Sequence, residues 1–187
     1  MMAWAFRSPA GRKTIAQRFV AGLYVVNPNS PVGTKEKNTM HSFVNCLMHC
    51  VWATKDRRRL IKPDLQSRLW PYLGGIAREN KTRALVVGGV EDHVHVLLSI
   101  PSTLSIAKSI QLLKGNSSEW IHDTFKEHWG FEWQEGYGAF SIGISGVEDT
   151  TKYIQKQAEH HRKMTFKEEV ETFLKKHGME YVEEDLE

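Results

Sequence analysis

The sequence predicts an α+β fold in which helices pack on an antiparallel sheet. Short β-rich runs at 42–54, 84–87 and 93–100 are set apart by turn residues, and segments with apolar side chains at helical spacing lie between and after them. Strict strand–helix–strand repetition is absent. With 187 residues, 41% of them hydrophobic, the chain can bury one core of this kind. It has no run of the ~18 to 20 apolar residues that a membrane span needs, so a soluble, cytoplasmic domain over residues 40–187 is expected.

Residues 1–39 read differently. They contain no acidic residue before Glu36, and they carry Asn27-Pro28-Asn29-Ser30-Pro31-Val32-Gly33, which is linker chemistry. A poorly ordered extension is expected there. Ser42 to Thr54 suits a strand buried on both faces, closed by the charged turn Lys55 to Arg59. Pro63 and Asp64 open a helix through Leu65, Leu69, Leu73 and Ile76, which Pro71 and Gly74-Gly75 should bend or weaken. Ala84–Val87 and His93–Ile100 flank Gly88-Gly89-Val90-Glu91-Asp92, so a hairpin with glycines in its turn is the natural reading.

Ser102 or Thr103 can cap the next helix, through Leu104, Ile106, Ile110 and Leu113, with Gly115-Asn116 as its expected end and a second short run through Trp120 and Phe125. Phe131 to Ile144, aromatic around Gly136 and Gly138, suits a last sheet element. A helix from Ser145 or Asp149 should run through Tyr153 to about His161, and another from Thr165 through Phe173 to Gly178.

Net charge is +3, but residues 1–39 hold six of the 25 Lys+Arg and one of the 22 Asp+Glu, leaving a formal balance of −2 from Met40 onward. Bulk charge therefore gives no argument for nucleic acid. Local clusters do, chiefly Lys55, Arg57, Arg58 and Arg59. Cys46 and Cys50 are not spaced as a zinc-binding or redox pair and read as ordinary thiols.

The sharpest feature is Asp92-His93-Val94-His95. On a strand, i and i+2 share a face, so His93 and His95 present two imidazoles side by side, a metal-ligating geometry, while Val94 and Val96 pack on the other face. The second feature is Tyr153-Ile154-Gln155-Lys156-Gln157. Tyr153 and Gln157 stand i and i+4 on a helix, so a hydroxyl and a carboxamide oxygen fall on one face.

Taken together, these motifs resemble the single-tyrosine HUH transposases of bacterial insertion sequences and their repetitive-element-associated relatives. The resemblance covers nearly everything from Met40 onward. It includes His49, Thr54-Lys55-Asp56-Arg57-Arg58, Leu113-Lys114-Gly115, Gly136-Tyr137-Gly138-Ala139-Phe140-Ser141 and Glu159-His160-His161-Arg162.

It implies a ferredoxin-like or RRM-like fold, with His93, His95 and Gln157 holding Mg²⁺ or Mn²⁺. Tyr153 would be the nucleophile that cuts and rejoins single-stranded DNA through a 5′-phosphotyrosine. It implies hairpin-bearing DNA as the partner, a homodimer, and DNA contacts from Lys55, Arg57, Arg58, Arg59 and Lys114. No nucleotide cofactor is expected, in keeping with the missing G-x-x-x-x-G-K-[ST] loop. His160 stands seven residues beyond Tyr153, close to the same face, and Trp52, Trp120, Trp129 and Trp133 are candidates for base stacking.

Three alternatives compete. A histidine-triad hydrolase needs a further His where Leu97 stands. A rolling-circle nicking enzyme shares the two-His strand. A domesticated protein of the same fold would process repeated palindromes.

Overall fold

The computed structural model describes residues 43–162 and 164–182, so the expected extension 1–39 and the acidic tail lie outside the described residues. Four strands form one antiparallel sheet in the order β2-β3-β1-β4. They are β1 (Leu47–Ala53), β2 (Arg83–Val90), β3 (His93–Ser99) and β4 (Gly138–Ser141). The helices are α1 (Pro63–Glu79), α2 (Ile106–Thr124), α3 (Val147–Gln155), α4 (Gln157–His160) and α5 (Phe166–Lys176). No helix among the described residues is long and apolar enough to cross a membrane. The α+β class predicted from the sequence is the class observed.

Strand alternation divides the labour between the two faces of the sheet. Met48, Cys50 and Trp52 of β1 and Val94, Val96 and Leu98 of β3 join Leu65, Leu69 and Leu73 of α1 and Ile110, Leu113 and Ile121 of α2 in one buried cluster. Each such side chain contributes roughly 1.5–3 kcal/mol on burial. The α1–α2 face therefore carries the core, and the opposite face, with His49, His93 and His95, is available for polar groups. In the register, Val51 pairs with His95 and His49 with Leu97, which sets His49 and His95 diagonally across two central strands.

Several boundaries differ from the sequence expectation. The first strand begins at Leu47 rather than Ser42. Gly88 and Gly89 lie inside β2, and the turn shrinks to Glu91-Asp92. The reason is proximity: Gly88 pairs with His95, and a Cβ on it would stand 2.5 Å from the Ile154 carbonyl oxygen, so its bare backbone lets α3 approach the sheet.

The second helix starts later, because the Ser105 side chain accepts from the Lys108 N–H at 3.1 Å and caps it. It runs through Gly115-Asn116 to Thr124 without a break, and Pro71 and Gly74-Gly75 likewise do not break α1. In α2 a helical glycine costs ~1 kcal/mol against alanine, less than the burial of Ile110, Leu113 and Ile121 returns. The helix carrying Tyr153 opens at Val147 and ends at Gln155, with Lys156 in a non-helical turn before α4. Of the run 131–144 only Gly138–Ser141 forms a strand, with an isolated bridge joining Thr54 to Trp133.

Candidate active site

The two imidazoles of β3 are wholly buried and open toward α4 and α5 rather than solvent. His93 meets Asp92 Oδ1 through Nδ1 at 2.6 Å, which turns its Nε2 to Gln157 Oε1 at 3.4 Å. His95 meets His49 Nε2 through Nδ1 at 2.9 Å, and its Nε2 lies 3.4 Å from Glu169 Oε1. Burial, then the neighbouring His95, depresses the pKa of His49 to about 3; burial alone is the largest influence on His95, lowered to about 4. Both rings are neutral at neutral pH, and for His95 that is the form metal ligation requires.

Glu169 closes the group from α5, where the capping box of Thr165 and Glu168 fixes the first turn. Only 1% exposed, its carboxylate sits 3.2 Å from His161 Nε2 and 3.8 Å from His93 Nε2. Gln157 Nε2 donates to its Oε1 at 3.1 Å, and the Tyr153 hydroxyl donates to the same oxygen. Burial resists ionisation of Glu169, but the contacts of His161 and His95 outweigh it and hold the carboxyl below its usual range. Burial first, then the Glu169 charge, pushes the Tyr153 phenol well above the ordinary ~10. His161 is pulled down by burial and up by Glu169 and the Met164 carbonyl, with a net rise.

The donor set fits a divalent cation. His93, His95, His161 and Glu169 offer ligand atoms that all lie within 4.8 Å of one another. His95 Nε2, His161 Nε2 and Glu169 Oε2 are buried without an aligned hydrogen-bond partner. Buried polar atoms left in this state are costly unless something binds them. Three imidazoles with one carboxylate suit Mn²⁺ or a similar transition ion better than an all-oxygen site would.

Of the residues singled out in the sequence, Tyr153, Gln157, His93 and His95 come together in one side-chain cluster around Glu169. Gln157 keeps its place beside Tyr153 despite the break at Lys156, because α4 restarts at once and buries it. His160 packs edge-on to the Tyr153 ring, centroids 4.9 Å apart.

The basic residues are mostly engaged elsewhere. Lys55 pairs with Glu132 at 2.6 Å, Arg58 donates to the Gly130 carbonyl at 3.1 Å, and Arg57 turns inward onto Asp92 at 3.0 Å. Lys114 is half-buried and donates to the carbonyls of Gln134 and Gly136 at 2.6 and 2.8 Å, so it clamps the loop before β4. Arg59 stays exposed, 3.9 Å from Glu91. Trp52 is core, Trp133 donates to Ser117, Trp120 stacks on Tyr72, and only Trp129 of the four stands in solvent.

Sequence reasoning missed Glu169 and His161 as members of the cluster and His49 as the partner of His95. A signal for Glu169 exists: it falls at i+3 from Phe166 and i−4 from Phe173, inside the apolar stripe of α5, where a carboxylate is out of place.

Comparison with known proteins gives the chain a family. Residues 42–157 match the family model described as transposase IS200 like. The transposase for insertion sequence element IS200 of Salmonella typhimurium is 29% identical over 131 residues, covering 66% of this chain and 84% of that protein. The ISDra2 transposase TnpA of Deinococcus radiodurans is 27% identical over 114 residues, covering 58% and 81%. A crystal structure of a candidate transposase from Deinococcus radiodurans superposes with a TM-score of 0.52 at 24% identity, over 67% of this chain and 98% of that one, a likeness of fold. Since the family model spans well over half of it, the chain belongs to the IS200-like transposases, enzymes that act on DNA.

Proposed function

We propose that this transposase cuts and rejoins single-stranded DNA by transesterification, with Tyr153 as nucleophile beside a divalent cation. The observation that carries the reading is the meeting of the Tyr153 hydroxyl with the His93–His95 group at one buried carboxylate, Glu169. His93 and His95 would hold Mg²⁺ or Mn²⁺ through Nε2, with Gln157, Glu169 and His161 as the side chains able to complete the set. Such a cation, when bound, offsets the charge of Glu169 and polarises a phosphoryl oxygen.

The chain's own residues do the rest. Tyr153 Oη attacks phosphorus and the P–O3′ bond breaks, leaving a 5′-phosphotyrosine and a free 3′ end. The phenolic proton passes to the Glu169 carboxylate that accepts its hydrogen bond, and the departing 3′ oxygen takes a proton from water. Rejoining is the reverse, with another 3′-OH displacing the phenol, so the bond is conserved and no nucleotide is consumed. With Glu169 facing it, the phenol rests protonated, and the carboxylate that accepts its hydrogen bond is the group placed to take the proton as the phenol attacks.

A cleft of about 740 Å³ opens beside the cluster, lined by Arg59, Gln66, His161, Arg162 and Phe166 among others. Its exposed guanidiniums suit a sugar–phosphate strand. Hairpin-bearing DNA as substrate, and a homodimer as the working form, complete the reading.

Purified protein incubated with a hairpin-bearing single-stranded oligonucleotide and Mn²⁺ should form an adduct that survives denaturing electrophoresis. Tyr153→Phe should give none, and His95→Ala should lose it at least ~100-fold. Sedimentation of the same preparation should give twice the 21.5 kDa of the chain. An adduct of normal yield on Tyr153→Phe would refute the assignment, and a monomer would refute the dimer.

A further inference from the structure

The basic cluster after β1 was expected at DNA, yet its Arg57 is built to face the protein. Asp56 and Arg57 both hold left-handed backbone, φ 54° and 53°, which non-glycine residues seldom adopt. That turn is anchored: the Thr54 N–H donates to the Asp92 carbonyl at 2.8 Å, and the Asp56 N–H to Gln134 Oε1 at 3.0 Å. The result is a guanidinium 4.3 Å above the Phe166 ring, with one nitrogen 3.0 Å from Asp92 Oδ2 and its Nε buried without a hydrogen-bond partner. A phosphate-binding arginine keeps its donors toward solvent; this one has given them to Asp92 and to an aromatic face.

Asp92 passes the constraint on. Its other oxygen, Oδ1, takes the Nδ1 of His93 at 2.6 Å, so the ring presents Nε2 to the cluster. A carboxylate hydrogen-bonded to the far nitrogen of an imidazole fixes its tautomer and aim and raises its basicity as a ligand. The neighbouring His95 has only the neutral His49 in the same position.

We propose that Arg57 and Asp92 are positioning residues of the cation site: Arg57 holds Asp92, and Asp92 fixes His93 with its Nε2 unprotonated and turned toward Gln157 and Glu169, where the ion would bind. The proposal rests on the reading of His93 as a ligand given above. The relay crosses three segments distant in sequence, the turn after β1, the β2–β3 turn and α5.

The test is Mn²⁺ binding without DNA, followed by the EPR signal of the free ion, together with the imidazole tautomer of His93 in metal-free protein by long-range ¹H–¹⁵N correlation at about pH 8.5, above the ordinary imidazole range. Asp92→Ala should bind Mn²⁺ about 10–100-fold more weakly than the parent and Arg57→Ala about 10-fold. Asp92→Asn, which can still accept a hydrogen bond, should lie between Asp92→Ala and the parent. His93 should carry its proton on Nδ1 in the parent and lose that preference in Asp92→Ala.

Unchanged Mn²⁺ affinity in Arg57→Ala with weakened DNA binding would make Arg57 a phosphate contact and overturn the proposal. So would a parent His93 protonated on Nε2. A parent that binds no Mn²⁺ while keeping the Nδ1–H tautomer would instead overturn the metal reading and leave the Asp92–His93 contact standing.

Discussion

At the residue scale the site is a buried polar group gathered round one carboxylate, with His95 Nε2, His161 Nε2 and Glu169 Oε2 left without an aligned hydrogen-bond partner. Glu169 faces His161, His95 and His93 and also accepts from Tyr153 and Gln157, so whatever binds the imidazoles also changes the electrostatics of the phenol. Without a cation, Glu169 raises the pKa of His161, so part of that imidazole population is protonated near neutral pH.

Ligation by His161 must expel this proton. Mn²⁺ binding should therefore release more protons, and weaken, as the pH is lowered toward the ordinary imidazole value of ~6.5. Calorimetry in two buffers of different ionisation enthalpy reads the proton count; binding with no proton release at any pH would exclude His161 from the set. Because the ion binds the folded chain, Mn²⁺ at ~100 times its dissociation constant should also add about 2.7 kcal/mol of stability, removed by chelator. His95→Ala should show no such gain.

The same scale shows what the sequence discloses and what it hides. His93 and His95 are legible because a strand has period two and the pair sits at i and i+2. Tyr153 and Gln157 are legible as helix neighbours. Glu169 is hidden because Thr165 and Glu168 form a capping box, and a second acid beside it looks like ordinary first-turn chemistry. His49 gains its partner only through strand register, which pairing across 46 residues decides. Arg57 is hidden by its backbone, since nothing in Lys55-Asp56-Arg57-Arg58 announces two left-handed residues that turn one guanidinium inward.

At the scale of elements, the distance between α3 and the sheet governs where Tyr153 sits. Two glycines make opposite predictions. At Gly88 a Cβ would meet the backbone of Ile154 at 2.5 Å. Gly88→Ala should therefore cost ~1–3 kcal/mol in urea unfolding and lower adduct yield in the folded protein, because relief comes by moving α3. At Gly115 nothing lies within 4 Å, so Gly115→Ala should stabilise α2 by ~0.5–1 kcal/mol and leave adduct formation unchanged. A neutral Gly88→Ala would mean that α3 is not held against β2 as described. Helix breaks were the least legible elements, since Gly115 and Pro71 are tolerated for tertiary reasons while the real interruption, at Lys156, has no glycine or proline to mark it.

At the scale of the whole molecule, the sheet separates stability from chemistry. One face carries the apolar cluster with α1 and α2, and the other carries a buried polar group whose own contribution to stability is doubtful ground for its existence, since buried charges seldom repay their desolvation. A fold that keeps such a group is organised around what the group binds. Crystals soaked in Mn²⁺ and measured at the manganese absorption edge test this most directly. One strong anomalous peak is expected among His93 Nε2, His95 Nε2 and the Glu169 carboxylate, beside the Tyr153 hydroxyl. No peak there, or peaks confined to surface carboxylates, would contradict it.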